Sequence, residues 1–238
     1  MRYLLIGRGR MGLCFREAAA ARGHEVEGML GRNDLDLLGR MGRAADILVD
    51  FSRPEALPEI CAYARRTATP VLSGTTGYAP GELTQLRALG ACVPVLWSAN
   101  YALGIAVLRR AAAMAAAALG PDYDVEITEQ HHRGKADAPS GTAMLLLQSV
   151  DPSGHLQPVY GRRGAALRRE GEVGVHALRG GTAAGRHSVY FLGPGEELTF
   201  THRADSREIF AAGALRCASA LAGKPPGFYT LEDILFGA

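Results

Sequence analysis

Residues 2–6 form a short apolar run that predicts a buried strand, and a glycine cluster over 7–12 follows it at once. Residues 11–22 read as a helix and 24–30 as a second strand. A third strand is expected over 46–51, with a helix over 54–66. Two more strands, 69–73 and 92–97, flank a helix over 80–89. This alternation predicts a parallel sheet with helices on both faces. Between the second and third strands, residues 33–45 are few and include Gly39 and Gly42, so a turn or stunted helix is expected there. After Asn100 the rhythm changes. A long helix is predicted over 103–119, ended by Gly120 and Pro121. Residues 122–130 alternate as a strand does, and another helix starts near 141. Runs at 173–178, 186–192 and 196–202, separated by Gly/Pro turns, read as an antiparallel sheet. A helix over 207–221 and a short C-terminal segment follow. The pattern describes an α/β domain and an α+β domain, with no internal repeat.

Composition narrows the partners. Hydrophobic residues make up 47% of the chain, enough for real cores. A formal charge of +2 is too small to make nucleic acid or a membrane the main partner. Cys14, Cys61, Cys92 and Cys217 are isolated, so neither a zinc site nor a disulfide framework is expected, which fits a reducing, cytoplasmic setting. The first apolar run is too short for a signal peptide, and no segment reads as a membrane span. The alanine-rich stretch 109–119 reads as a packed helix.

Gly7-Arg8-Gly9-Arg10-Met11-Gly12 has the G-x-G-x-x-G spacing between a strand and a helix. Glycine there allows a tight turn, close approach of backbone to pyrophosphate, and close helix–strand packing. The helix N-terminus adds N–H donors. A glycine-rich turn without ligand is the bland alternative. Where an NAD site carries Asp or Glu at the end of the second strand, this chain has Gly31-Arg32-Asn33. Arg32 suits a 2′-phosphate and favours NADPH. Gly74, Thr75 and Thr76 follow the fourth strand, where small residues let backbone approach a nicotinamide. Ser98, Ala99, Asn100 and Tyr101 end the fifth, as cofactor contact and hinge.

Residues 129–143 carry the densest chemistry: Glu129-Gln130-His131-His132-Arg133-Gly134-Lys135-Ala136-Asp137-Ala138-Pro139-Ser140-Gly141-Thr142-Ala143. Ser140 is a candidate N-cap, with Gly141 and Thr142 in the first turn. Such a helix start binds a carboxylate through N–H groups and the threonine hydroxyl. Lys135 and one histidine add charge, and histidine donates protons near neutral pH. Adjacent histidines on a strand point to opposite faces, so a shared metal is not expected.

This run resembles the signature of the 4-hydroxy-tetrahydrodipicolinate reductase (dihydrodipicolinate reductase) family. The resemblance extends through Gly9–Gly12, Asp50–Glu55, Gly74–Gly77, Ser98–Tyr101, Thr201–Ala204 and Gly227–Leu235. It implies a Rossmann-type dinucleotide domain over 1–102, rejoined by 208–238. It also implies a substrate and tetramerisation domain over 103–207, with a mixed or antiparallel sheet. By that resemblance His131 is the proton donor or acceptor and Lys135 a second donor. His132, Ser140, Gly141 and Thr142 hold substrate carboxylates. Gly7, Gly9 to Gly12, Gly74 to Thr76 and Ser98 to Tyr101 contact NADPH or NADH, and no metal is needed. The two domains are expected to close around the reacting groups. The glycine turn is one residue shorter than the family's, Gly31 replaces a common acid, and the segment after Asn33 is abbreviated. Another Rossmann-type dehydrogenase of a small anion and a non-catalytic NADPH-sensing protein are the alternatives.

Overall fold

The computed structural model describes residues 1–237. The chain divides into two compact units: Met1–Ala102 with the C-terminal residues from Arg207 onward, and Leu103–Ser206.

The first unit contains β1 (Arg2–Ile6), α1 (Arg10–Ala20), β2 (Glu25–Leu30), β3 (Ile47–Asp50), α2 (Leu57–Thr67), β4 (Val71–Ser73), α3 (Pro80–Leu89) and β5 (Pro94–Trp97). Its six-stranded sheet is parallel throughout, in the order β11-β5-β4-β3-β1-β2, where β11 is Gly227–Tyr229. Helices cover both faces, which is why Tyr3, Leu4, Leu5 and Ile6 are all buried without alternation. The chain passes from β2 to β3 on the far side of β1. That reversal leaves a crevice beyond the ends of β1 and β3, the usual ligand position in an open α/β sheet. The short segment after β2 is a 3-10 stretch, Arg32–Gly39. The helix expected over 54–66 begins as a 3-10 turn, Pro54–Ala56, and continues as α2.

The second unit contains α4 (Leu103–Leu119), β6 (Asp124–His131), α5 (Gly141–Val150), β7 (Gln157–Val159), β8 (Glu172–Arg179), β9 (Gly185–Gly193) and β10 (Glu196–Ala204). Its sheet runs β10-β9-β6-β8-β7. The sheet is mixed, one of the two forms expected: β10, β9 and β6 are antiparallel, whereas β8, read from its sequence as part of an antiparallel set, lies parallel to both β6 and β7. The chain returns twice, through α5 between β6 and β7 and through residues 160–171 between β7 and β8, so all three strands run the same way. Strand β6 alternates buried Val125, Ile127, Glu129 and His131 with more exposed neighbours, as a sheet with one covered face requires. That covered face carries α4 and α5.

The expectation that no segment is long and apolar enough for a membrane span also needs correction. The helical stretch Leu103–Asp122 is 20 residues long and contains an 18-residue window with a mean hydropathy of 1.5, which passes by length and composition. Alanine counts as apolar on that scale, and the helix packs on α5 and β10 within its own unit.

The last elements, α6 (Glu208–Leu221), β11 and α7 (Leu231–Phe236), belong to the first unit. α6 packs on α1, and β11 extends the sheet beside β5.

Candidate active site

The glycine turn behaves as its spacing requires. Gly7 has φ +109°, and a Cβ there would lie 2.2 Å from the Phe51 carbonyl oxygen. A Cβ on Gly12 would lie 2.1 Å from the Gly7 carbonyl oxygen, so this glycine lets α1 sit against the turn. Gly9 is the N-cap of α1 and faces open space. Two glycines therefore serve packing and one leaves the helix start accessible. Beside it lies a pocket of about 470 Å³, lined by Gly7 to Gly9, Gly31, Arg32 and Phe51 to Arg53 among others. The pocket sits at the β1/β3 reversal, so the residues present fit a dinucleotide. Arg10 and Met11 stand in the first turn of α1.

A carboxylate does come near position 31, but it is engaged within the chain. The Asp34 carboxylate reaches back to accept the Gly31 N–H at 2.9 Å and pairs with Arg8 at 2.9 Å. Sequence reasoning missed it because the 3-10 stretch, not the strand, brings it there. Arg32 is exposed at the pocket.

Below the pocket, Asp50 is fully buried at the end of β3. Ser73 donates to it at 2.8 Å and Tyr78 at 3.0 Å, and the Ser52 hydroxyl and N–H also donate. Burial pushes its carboxyl above the usual range in spite of these bonds. Gly74 admits the Phe51 ring, which a Cβ would strike at 2.2 Å. Thr75 is buried and accepts the Ser52 N–H at 3.0 Å, whereas Thr76 is exposed. Tyr101 is buried, and its hydroxyl donates to the Ser73 carbonyl at 2.8 Å. Asn100 accepts the Ala102 N–H at 2.8 Å and Ser98 bonds the Asn100 carbonyl, next to Ala99. Several of these residues thus shape the loop from within.

In the second unit, sheet register assembles the other cluster. Glu129 of β6 lies opposite His187 of β9, which lies opposite His202 of β10. His131 lies beside Arg179 of β8. Glu129 is 1% exposed and accepts four hydrogen bonds from three residues. The Arg179 guanidinium donates to both its oxygens, at 2.6 and 2.8 Å. Ser140 N–H donates at 2.9 Å, and His131 Nδ1 lies 2.6 Å away. Burial alone would raise the Glu129 carboxyl, but bonds from Arg179, His131 and Ser140 outweigh it and hold the group below the usual range. An ionised carboxylate only accepts, so His131 Nδ1 carries the hydrogen and Nε2 is the ring's outward nitrogen. Nε2 lies against Gly185, where a Cβ would come within 3.1 Å.

Ser140 caps α5 as its sequence position predicts: its hydroxyl accepts the Ala143 N–H at 3.2 Å. The same hydroxyl, buried, lies 3.2 Å from His187 Nε2. Gly141 and Thr142 occupy the first turn, where backbone N–H groups lack intrahelical partners. His132 starts the turn after β6, pinned by its N–H to the Ala183 carbonyl at 2.9 Å. Lys135 closes that turn, and its ammonium pairs with Asp137 at 2.8 Å. Asp137 is largely exposed, and such a pair is weak enough for an incoming anion to displace. Among the described residues no three His, Cys, Asp or Glu side chains group as a metal ion would require.

Arg179 and His187 are functional candidates that the sequence did not single out. Burial, with His131 adding repulsion, pushes His187 down to about 4. An unfolded chain leaves histidine near 6.5. A depressed value in the fold means that the neutral buried ring stabilises fully above about pH 6.5, and that this contribution is lost as pH falls towards 4. The gap corresponds to about 3 kcal/mol. Urea unfolding from pH 7 to 4 is expected to show that loss, and His187→Gln to flatten it. An identical slope in the variant removes His187 as its source.

Models of two protein families match the chain end to end. Dihydrodipicolinate reductase, N-terminus, matches residues 1–101, and dihydrodipicolinate reductase, C-terminus, matches 104–235. The 4-hydroxy-tetrahydrodipicolinate reductase of Clostridium novyi (strain NT) is 42% identical over 193 residues, 80% of this chain and 77% of its own. That of Alkalilimnicola ehrlichii is 39% identical over 236 residues, covering 97% and 81%. A dipicolinate-bound dihydrodipicolinate reductase from Paenisporosarcina sp. TG-14 has the same fold, with a TM-score of 0.80 at 24% identity over 99% of both chains.

Proposed function

From the premise that this chain belongs to the dihydrodipicolinate reductase family, we propose that His131 is its proton donor and that the start of α5 holds its substrate. The reaction is the NAD(P)H-dependent reduction of 4-hydroxy-tetrahydrodipicolinate to tetrahydrodipicolinate, in diaminopimelate and lysine biosynthesis. The substrate is a small dicarboxylate anion.

The observation that carries the assignment is the His131–Glu129 bond at 2.6 Å beside the capped helix start. It fixes the imidazole with Nε2 outward, the arrangement a general acid needs. Gly141, Thr142 and His132 would bind the substrate carboxylates, and Ser140 would keep that helix start formed. Lys135 would leave Asp137 to meet the substrate and serve as a second donor. A bound reduced nicotinamide supplies the hydride. The substrate loses water to give a conjugated imine, which takes up that hydride and, from His131, one proton.

The unit holding the glycine turn would bind the nucleotide through Gly7, Gly9 to Gly12, Gly74 to Thr76 and Ser98 to Tyr101. Arg32, at the pocket, favours the 2′-phosphate of NADPH. The second unit would bind substrate and build a homotetramer. Leu178 and Leu192, 52% and 38% exposed on the sheet face away from α4 and α5, support such an assembly. Sedimentation velocity measures it directly. The isolated cysteines support a cytoplasmic setting.

An assay coupled to the synthase that makes the substrate, run with each nucleotide, tests the binding half. Thr142→Val is expected to raise the substrate KM about tenfold with either nucleotide, as loss of a bond to a carboxylate does. Arg32→Ala is expected to raise the KM for NADPH alone. An unchanged substrate KM removes Thr142 from the site, and an equal effect on both nucleotides removes Arg32 from the 2′ position.

A further inference from the structure

We propose that Arg179 and Glu129 are positioning residues that set the working pH of the reaction by pulling His131 in opposite directions. The inference rests on His131 being the proton donor. Glu129 bridges three elements: it takes the His131 Nδ1–H from its own strand, the Arg179 guanidinium from β8, and the Ser140 N–H from the cap of α5. A carboxylate on Nδ1 favours the protonated imidazole. Unopposed, that carboxylate works against handing the proton to the substrate.

Arg179 is the counterweight. Its two terminal nitrogens grip the same carboxylate oxygens at 2.6 and 2.8 Å, and one of them also donates to the Asp137 carbonyl. The guanidinium stays charged at any working pH. It therefore takes a fixed share of the Glu129 charge and repels a second positive charge on His131. The remaining ionisable groups near His131 are His187 of β9, in ring contact at 5.1 Å, and Lys135 with Asp137 on the turn after β6. His202 of β10 stands behind His187. His187, pushed down to about 4, adds no charge at neutral pH. Lys135 and Asp137 largely cancel each other in the free protein, and once Lys135 turns to the substrate its charge is met by the substrate carboxylates. The Glu129–Arg179 pair is left as the dominant bias.

A general acid works below the pH at which it loses its proton, so kcat falls along an alkaline limb. Glu129→Gln removes the carboxylate charge, and that limb should move to lower pH by about one unit. Arg179→Gln unbalances the carboxylate, and the limb should move to higher pH by about one unit. Arg179→Lys keeps the charge and should leave the limb in place while lowering kcat through poorer geometry. NMR titration of the His131 ring in the protein without nucleotide should move in the same directions. Glu129→Gln strands a half-buried guanidinium, and if it fails to fold, Arg179→Gln decides alone. The Arg179 side chain is 19% exposed, so water can reach the carboxylate it leaves. Variants that lower the rate without moving the limb, or move it the same way, overturn the proposal. If His131→Gln instead keeps full turnover, it is the proton-donor assignment that fails.

Discussion

His131→Gln is expected to lower kcat by about 10²- to 10⁴-fold, the range that a positioned general acid supplies. Glutamine preserves much of the ring's bulk against Gly185 and can still bond Glu129, so the site should stay assembled. It carries no proton to give. Lys135 cannot take over fully, because its ammonium is held by Asp137 and rides on the turn rather than on the strand. Substrate affinity should change little, since the carboxylates are assigned to the helix start. Steady-state kinetics in the coupled assay separates the two quantities. A variant that loses affinity while keeping its turnover would make His131 a binding group rather than the acid.

The second large effect is on the fold. Gly7→Ala is expected to cost about 2–6 kcal/mol. Part of this is the backbone: at φ +109° an L side chain is strained by roughly 1–3 kcal/mol. The rest is collision with the Phe51 carbonyl, a backbone atom that cannot turn aside, worth roughly another 1–3 kcal/mol. In a chain of this size that lowers the melting midpoint by about 10 °C. Gly9→Ala is the contrast. Its φ is −77° and its Cβ would meet nothing, so stability should change by no more than about 1 kcal/mol, the poorer N-cap offset by the stiffer unfolded chain. The added methyl would nevertheless stand where backbone meets phosphate, and NADPH titration should show weaker binding. Equal melting of Gly7→Ala and the parent protein would rule out the steric account. Undiminished nucleotide binding by Gly9→Ala would detach the turn from the cofactor.

Much of this was legible because the chemistry is local. Gly7 to Gly12 and Glu129 to Thr142 are each a single stretch, so their residue types and spacing survive without knowledge of the fold. The parallel sheet was legible too, since strands buried on both faces read as unbroken apolar runs. Arg179 was not legible. It reaches Glu129 only through the parallel register of β6 and β8, which places His131 beside it. His187 depends in the same way on the antiparallel register of β6 and β9. The direction of β8 was hidden for a related reason: it is fixed by how residues 160–171 return the chain after β7, and strand composition is silent about it. Asp34 escaped notice because a 3-10 stretch folds a carboxylate back on Gly31 from three residues away.

The return of the C-terminal residues to the first unit bears on how the protein is made. During synthesis the whole of Leu103–Ser206 leaves the ribosome before α6 and β11 exist. Until then β5 has an open edge and α1 lacks the helix that covers it. The half that is translated first is therefore completed last, and the nascent chain exposes a sticky strand edge throughout the time the other half takes to emerge.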